Sequence, residues 1–237
     1  MFSQGLAALD REVGSDEFIV AFGPIGLIAA GGFLAVTYLR SRESTGDIDY
    51  LIDPESAGDQ HIQIPPQKAI QSVARQKGFT NKWINEDMAI FVTRKARQSL
   101  FEAAEKQNIV LFNGENLELL AAPLEWALER KLRTIHTADR GGKAEYDMED
   151  ALALLKELKL RNKGPLDEDS IRRMNMNGFD VLPSHETMQR VARAYQQKYI
   201  GQLFRNLWGP RVLFRLAVHM FTTPPYTETK SPLDRSV

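Results

Sequence analysis

Asp47 and Asp49, in the stretch DIDYLI, are the residues whose type and spacing best suit chemistry in this 237-residue chain. Positions i and i+2 of a strand project from one face, so both carboxylates meet the same space. Two carboxylates held together repel and desolvate each other unless a cation lies between them. Such oxygen ligands suit Mg²⁺, which takes one or two carboxylates and completes its shell with water and substrate phosphates. Metal-assisted phosphoryl or nucleotidyl transfer is the reaction class this pair serves. Upstream, Gly31 and Gly32 follow a short apolar run, and a glycine turn there presents backbone N–H groups to an anion.

These residues need a frame, and the apolar spacing supplies one. Residues 25–30 read as a buried strand, 33–40 as a helix and 47–52 as a second strand. The spacing predicts an amphipathic helix over 66–77, stopped by Gly78, and a further strand over 88–93. A helix over 99–107 precedes a hairpin, 109–112 and 117–120, turning at Asn113-Gly114. A first helix lies near 5–13. From Pro123 helices take over, at 123–136, 145–160, 186–205 and 210–221. This order gives an α/β (α+β) class, with a short mixed sheet first and a helical C-terminal part after it. The division expected is 1–122 for the α/β core, 123–221 for the helices and 222–237 for a loose tail.

Composition narrows the class further. With 43% hydrophobic and 26% charged residues, wholesale disorder and a coiled-coil rod are excluded. There is no cysteine, so disulfides, thiolate zinc sites and cysteine nucleophiles are excluded, and a reducing, cytoplasmic setting is expected. The four histidines lack metal-ligand spacing. Residues 1–160 carry 18 Lys and Arg against 24 Asp and Glu, whereas 161–237 carry 12 against 7. A basic tail on an acidic body suits a phosphate-bearing partner such as RNA, and Arg190, Arg193, Tyr195, Tyr199, Phe204 and Trp208 interleave charge with rings there. The i, i+4 spacing of Tyr195/Tyr199 and Phe204/Trp208 equally fits a buried helical stripe. The uncharged run 18–39 is long enough to span a bilayer, but Pro24 and four glycines break it, and no membrane partner is expected.

Taken together, the buried strand, Gly31-Gly32, a helix, then Arg42, Thr45, Asp47 and Asp49 resemble the DNA polymerase β-type nucleotidyltransferase superfamily. The closer likeness is to its minimal AbiEii/MenT-like branch. Pro123-Leu124-Glu125, Lys131, Arg140, Lys143, Asp147 and Asp150 extend the resemblance, which covers residues 25–160. It implies a Mg²⁺-dependent transferase acting on RNA or tRNA with a nucleoside triphosphate. In that reading Asp47 and Asp49 hold the metal, Gly31 and Gly32 the triphosphate, and Arg42, Thr45 and Lys131 contact substrate. A third carboxylate is implied, with Asp87 the first choice and Glu118 the second. Two departures stand out: Phe33 follows the glycines where a small polar residue is usual, and no third carboxylate is obvious.

In size and general character the chain is also similar to fungal arginine-containing cyclodipeptide synthases, which draw on aminoacyl-tRNA and would need no metal. There Asp47 and Asp49 would receive a guanidinium, and one of them would act as general base. A third reading is a degenerate nucleotidyltransferase that only binds RNA or a partner.

Overall fold

Alternation along two strands decides which residues can reach a ligand. The computed structural model describes residues 2–58, 60–137, 143–178 and 181–205. Helices α1 (Phe2–Val13) and α2 (Glu17–Phe22) lead into strand β1 (Ile25–Ala30), which runs directly into α3 (Gly31–Thr37). Strand β2 (Ile48–Ile52), α4 (Gln60–Lys77), β3 (Ile84–Asn85) and a 3₁₀ helix over Asp87–Phe91 follow. Then come α5 (Arg94–Gln107), the strands β4 (Val110–Asn113) and β5 (Leu117–Ala121), and the helices α6 (Leu124–Thr137), α7 (Lys143–Arg161), α8 (Glu168–Arg172) and α9 (His185–Lys198). The sheet order is β3-β2-β1-β5-β4. β1 pairs antiparallel with β2 and parallel with β5, so the sheet is mixed and the fold is α+β.

Leu27, Ala29, Ile48, Tyr50, Ile52 and Leu119 project to one face and pack with Leu6, Leu9, Val73 and Trp83 from α1, α4 and the segment before β3. Ile28, Ala30, Leu51 and Leu120 project to the other face, against Leu100, Phe101 and Ala104 of α5 and Trp126 of α6. Period-two alternation puts Asp49 on this second face with Ala30 and Leu51. Ala30 lies directly opposite Asp49 in the register. A second core joins α6, α7 and α9 through Leu128, Leu132, Leu155, Met188 and Val191. All these elements belong to one unit ending at Phe204. The boundary at 122–123 falls between β5 and α6, inside that unit.

Three local expectations are corrected. Residues 88–93 do not form a strand: Asn85 Oδ1 accepts from the Asp87 amide at 3.0 Å and turns the chain out of the sheet into a 3₁₀ helix. The helix expected over 186–205 ends at Lys198, because Tyr199 is extended and Gly201 has φ +101. The chain then returns so that the Leu166 amide donates to the Leu203 carbonyl at 2.8 Å. Asp47 lies one residue ahead of β2 rather than within it. Helix α2 is additional, opened by Asp16, whose carboxylate accepts from the amides of Phe18 and Ile19. The uncharged run 18–39 is divided among α2, β1 and α3. Among the described residues no helix is long and apolar enough to cross a membrane. The segments 210–221 and 222–237, together with Trp208 and Arg140, lie outside the described residues.

One buried charge ties α1 to the hairpin. Asp10 Oδ1 accepts from the amides of Asn116 and Leu117 at 2.9 and 3.0 Å, and Oδ2 from Glu115 at 3.3 Å. A carboxylate thus closes the β4–β5 turn that Gly114 allows, since a Cβ on Gly114 would run into Asp10. Asp10→Ala leaves these amides without their acceptor, and bonds to a charged group are each worth about 1.5–3 kcal/mol. The expected loss is about 2–3 kcal/mol in urea denaturation, with Asp10→Asn losing less because its carbonyl oxygen still accepts.

Candidate active site

The second face of the sheet ends in a cavity of about 730 Å³. Its floor is the β1–α3 junction and the start of β2, and its wall is the α6–α7 pair. Gly31, Gly32, Arg42, Thr45, Asp47, Asp49 and Lys131 all line it. Far-apart stretches of sequence therefore meet at one place.

The glycine pair is explained by close approach. Gly31 has φ +68, a left-handed conformation, and a Cβ there would stand 2.8 Å from Asp49 Oδ2. A Cβ on Gly32 would collide with Thr45 Oγ1. The Thr45 hydroxyl donates to the Asp47 carbonyl at 3.3 Å, shaping the loop that delivers both aspartates. Phe33 turns away from the cavity into the core beside Phe2, at 6.4 Å between rings.

The opposite wall carries a salt-bridge network. Arg42 donates twice to Asp150, Nε to Oδ1 at 2.7 Å and Nη2 to Oδ2 at 2.6 Å. Lys131 Nζ bridges Asp147 Oδ1 and Asp150 Oδ2, both at 2.7 Å. The Arg42 guanidinium also covers the Tyr146 ring at 4.6 Å. Asp150 is only 1% exposed, so its charge is tolerable because two cations enclose it. Helical spacing accounts for the grouping: Ala127, Arg130, Lys131 and Thr134 form one stripe of α6, and Lys143, Tyr146, Asp147 and Asp150 one stripe of α7.

Asp47 and Asp49 are in a different condition. Among the described residues no hydrogen bond or ion pair reaches either carboxylate. Burial first, then the neighbouring Asp47 charge and, least, that of Asp87, push the Asp49 pKa above its ordinary value, while Arg130 and Lys131 pull it back. Arg130 is the cation that acts most strongly on Asp49. Its guanidinium lies 5.0 Å over the Trp126 ring, its Nη1 is buried with no hydrogen-bond partner among the described residues, and burial lowers its pKa.

The structure does not bring every expected residue here. Asp87 pairs with Lys82 at 2.7 Å on the surface, well exposed, and does not line the cavity. Only its neighbour Met88 does. Glu118 lies on β5 opposite Gly26, away from the Ala30 end of β1 where Asp49 sits. Among the described residues no group of three or more His, Asp or Glu side chains is arranged to hold a metal. Arg130, Thr134 and Tyr146 are cavity residues that were not singled out from the sequence as site residues. The available signal was the i, i+3, i+4 spacing with Lys131 and Asp150. Arg133 is directed elsewhere, to Glu129 at 3.2 Å and the Met174 carbonyl at 3.3 Å.

Comparison of the chain with family models, with curated proteins and with solved structures gives no match.

The raised Asp49 pKa carries a stability consequence of definite sign. Because the folded value lies above the unfolded one, the contribution of this group to stability is fully present below the unfolded pKa and is lost as pH rises through the folded value. Ionisation of Asp49 therefore works against folding. Asp49→Asn is expected to be more stable than the parent at pH 7, with the gain shrinking as pH falls to about 4, near the ordinary carboxylate value. Urea midpoints at the two pH values check this; an equal or reversed difference would contradict the assigned environment.

Proposed function

We propose that the protein is a Mg²⁺-dependent transferase that passes a nucleotidyl group from a nucleoside triphosphate to RNA, with tRNA the acceptor class. The observation that carries this reading is the Asp47–Asp49 pair: two carboxylates that no hydrogen bond or ion pair reaches among the described residues, facing a cavity that also holds Arg130, Lys131 and Lys143. The donor set fits a hard divalent cation bound by two carboxylates and completed by substrate phosphates and water. Bound there, the cation would neutralise the crowded carboxylates and polarise the phosphate undergoing attack.

The chain's own residues have separable tasks in this scheme. Arg130 and Lys143 offer positive charge to the triphosphate, and the unpartnered Nη1 of Arg130 is a ready donor. Lys131 is held by Asp147 and Asp150, which fixes its ammonium at the cavity wall and lets it share charge with a phosphate. Gly31 and Gly32 keep the floor bare of side chains, so the triphosphate can lie against backbone beside Asp49. Arg42 acts by position, binding Asp150 with both nitrogens and so anchoring the segment that leads to Asp47.

Incubation with each α-labelled nucleoside triphosphate, Mg²⁺ and total tRNA is expected to label the RNA. Asp49→Ala should reduce the rate by on the order of 100-fold or more, the usual effect of removing a group that stabilises transition-state charge. Absence of label with every triphosphate would overturn the reading.

A second reading draws on the raised Asp49 pKa. A carboxylate with an elevated pKa is a better proton acceptor, and an α-amine attacking an aminoacyl ester requires one. The pair could then receive the guanidinium of an arginyl group in place of a metal. Purified arginyl-tRNA without any triphosphate would yield a cyclic dipeptide detectable by mass in this case. No product would remove it.

A further inference from the structure

A second groove adjoins the cavity at Leu39, which lines both. It has a volume of about 500 Å³ and is formed by the 38–41 segment with the C-terminal parts of α7 and α9. This groove carries Arg40, Lys156, Lys198 and the ring of Tyr199. Lys156 Nζ lies 5.0 Å from the centre of that ring and Lys198 Nζ 6.0 Å. The one acid lining the groove, Glu157, is already engaged by the Tyr38 hydroxyl and Arg161 Nε, each at 3.0 Å. Among the described residues no carboxylate pairs with Arg40 or Lys156, whereas Lys198 meets Glu149 at 3.6 Å. Cations therefore outnumber available acids around an aromatic ring.

Arg40 is held at a cost. It follows α3 with φ +53, in the left-handed region, while the Ser41 amide closes onto the Ala35 carbonyl at 3.0 Å. Glycine adopts this conformation freely and arginine does not. A charged side chain at a position whose backbone favours glycine points to a use for the side chain.

We propose that this groove binds single-stranded RNA, with phosphates on Arg40, Lys156 and Lys198 and a base against Tyr199, the strand continuing past Leu39 into the cavity. Cations interleaved with a ring are the chemistry that holds a single strand, because every base has a stacking face and every linkage a charge. The adjacency of groove and cavity at Leu39 is what makes a strand, rather than an isolated anion, the fitting occupant. The inference rests on the reading of RNA as acceptor.

Fluorescence anisotropy of the full chain with a labelled single-stranded RNA of about 12 nucleotides, within the range spanned by known single-strand sites, tests it. The double variant Arg40→Gly/Lys156→Ala is expected to bind about tenfold more weakly. Its log K against log salt should flatten by roughly 1.4, two phosphate contacts at about 0.7 each. Arg40→Gly suits the backbone, so its melting temperature should hold or rise, which separates lost contact from lost fold. The thermal shift given by Mg²⁺ with a triphosphate should match that of the parent, since the cavity is untouched. Unchanged affinity and salt slope would overturn the inference, as would equally tight binding of the parent to duplex RNA or to phosphatidylserine vesicles. Label transfer with unaltered RNA binding in the double variant removes the groove alone. Weakened RNA binding without label transfer by the parent leaves the groove standing and removes the transferase reading.

Discussion

The site depends on one buried carboxylate. Asp150 takes both nitrogens of an Arg42 fork and the Lys131 ammonium, and it thereby joins the segment before β2 to α6 and α7. A charge so thoroughly enclosed is stable only with its partners in place, and removing any one leaves others buried and uncompensated. The network therefore ties the segment leading into β2 to the helical wall. It also engages two of the cavity's cations, and among the described residues no ion pair reaches Asp47 or Asp49.

That division of charge is what gives the cavity its chemistry. Much of one wall is internally neutralised, while the floor holds a carboxylate pair of which burial makes Asp49 reluctant to ionise, and the α6 wall holds an arginine with an unsatisfied nitrogen among the described residues. Neither arrangement favours folding. Groups arranged against stability in a concave site are the mark of a place prepared for a ligand, which would supply the charge the protein withholds.

Much of the fold was legible from pattern. β1, β2 and the β4–β5 hairpin follow from alternating or continuous apolar runs with glycine and asparagine turns, and α6 and α7 from long helical periodicity. The failures have local causes. Residues 88–93 carry the composition of a strand, yet an asparagine turn at Asn85 diverts them before they can pair. The aromatic run after Lys198 looks helical, yet the left-handed Gly201 and the pairing of Leu166 with Phe204 draw it into another path. Asp87, chosen as a third carboxylate because it precedes that supposed strand, pairs with Lys82 outside the cavity lining, though its charge still acts on Asp49.

The sequence by itself determined which residues share a face. Spacing of two at the start of β2 set Asp47 with Asp49, and spacing of three and four along α6 and α7 set Arg130 and Lys131 with Ala127 and Thr134, and Asp147 with Asp150, because strand and helix periods are properties of the backbone alone. Only the tertiary structure decided how those faces meet. Nothing in local pattern says that Arg42 would bind Asp150 and leave Asp49 bare, since a salt bridge between residues 108 positions apart depends on the packing of α7 against α3 and the sheet. Burial, which raises the pKa of Asp49 and strands a nitrogen of Arg130, arises from that packing and from no residue singly.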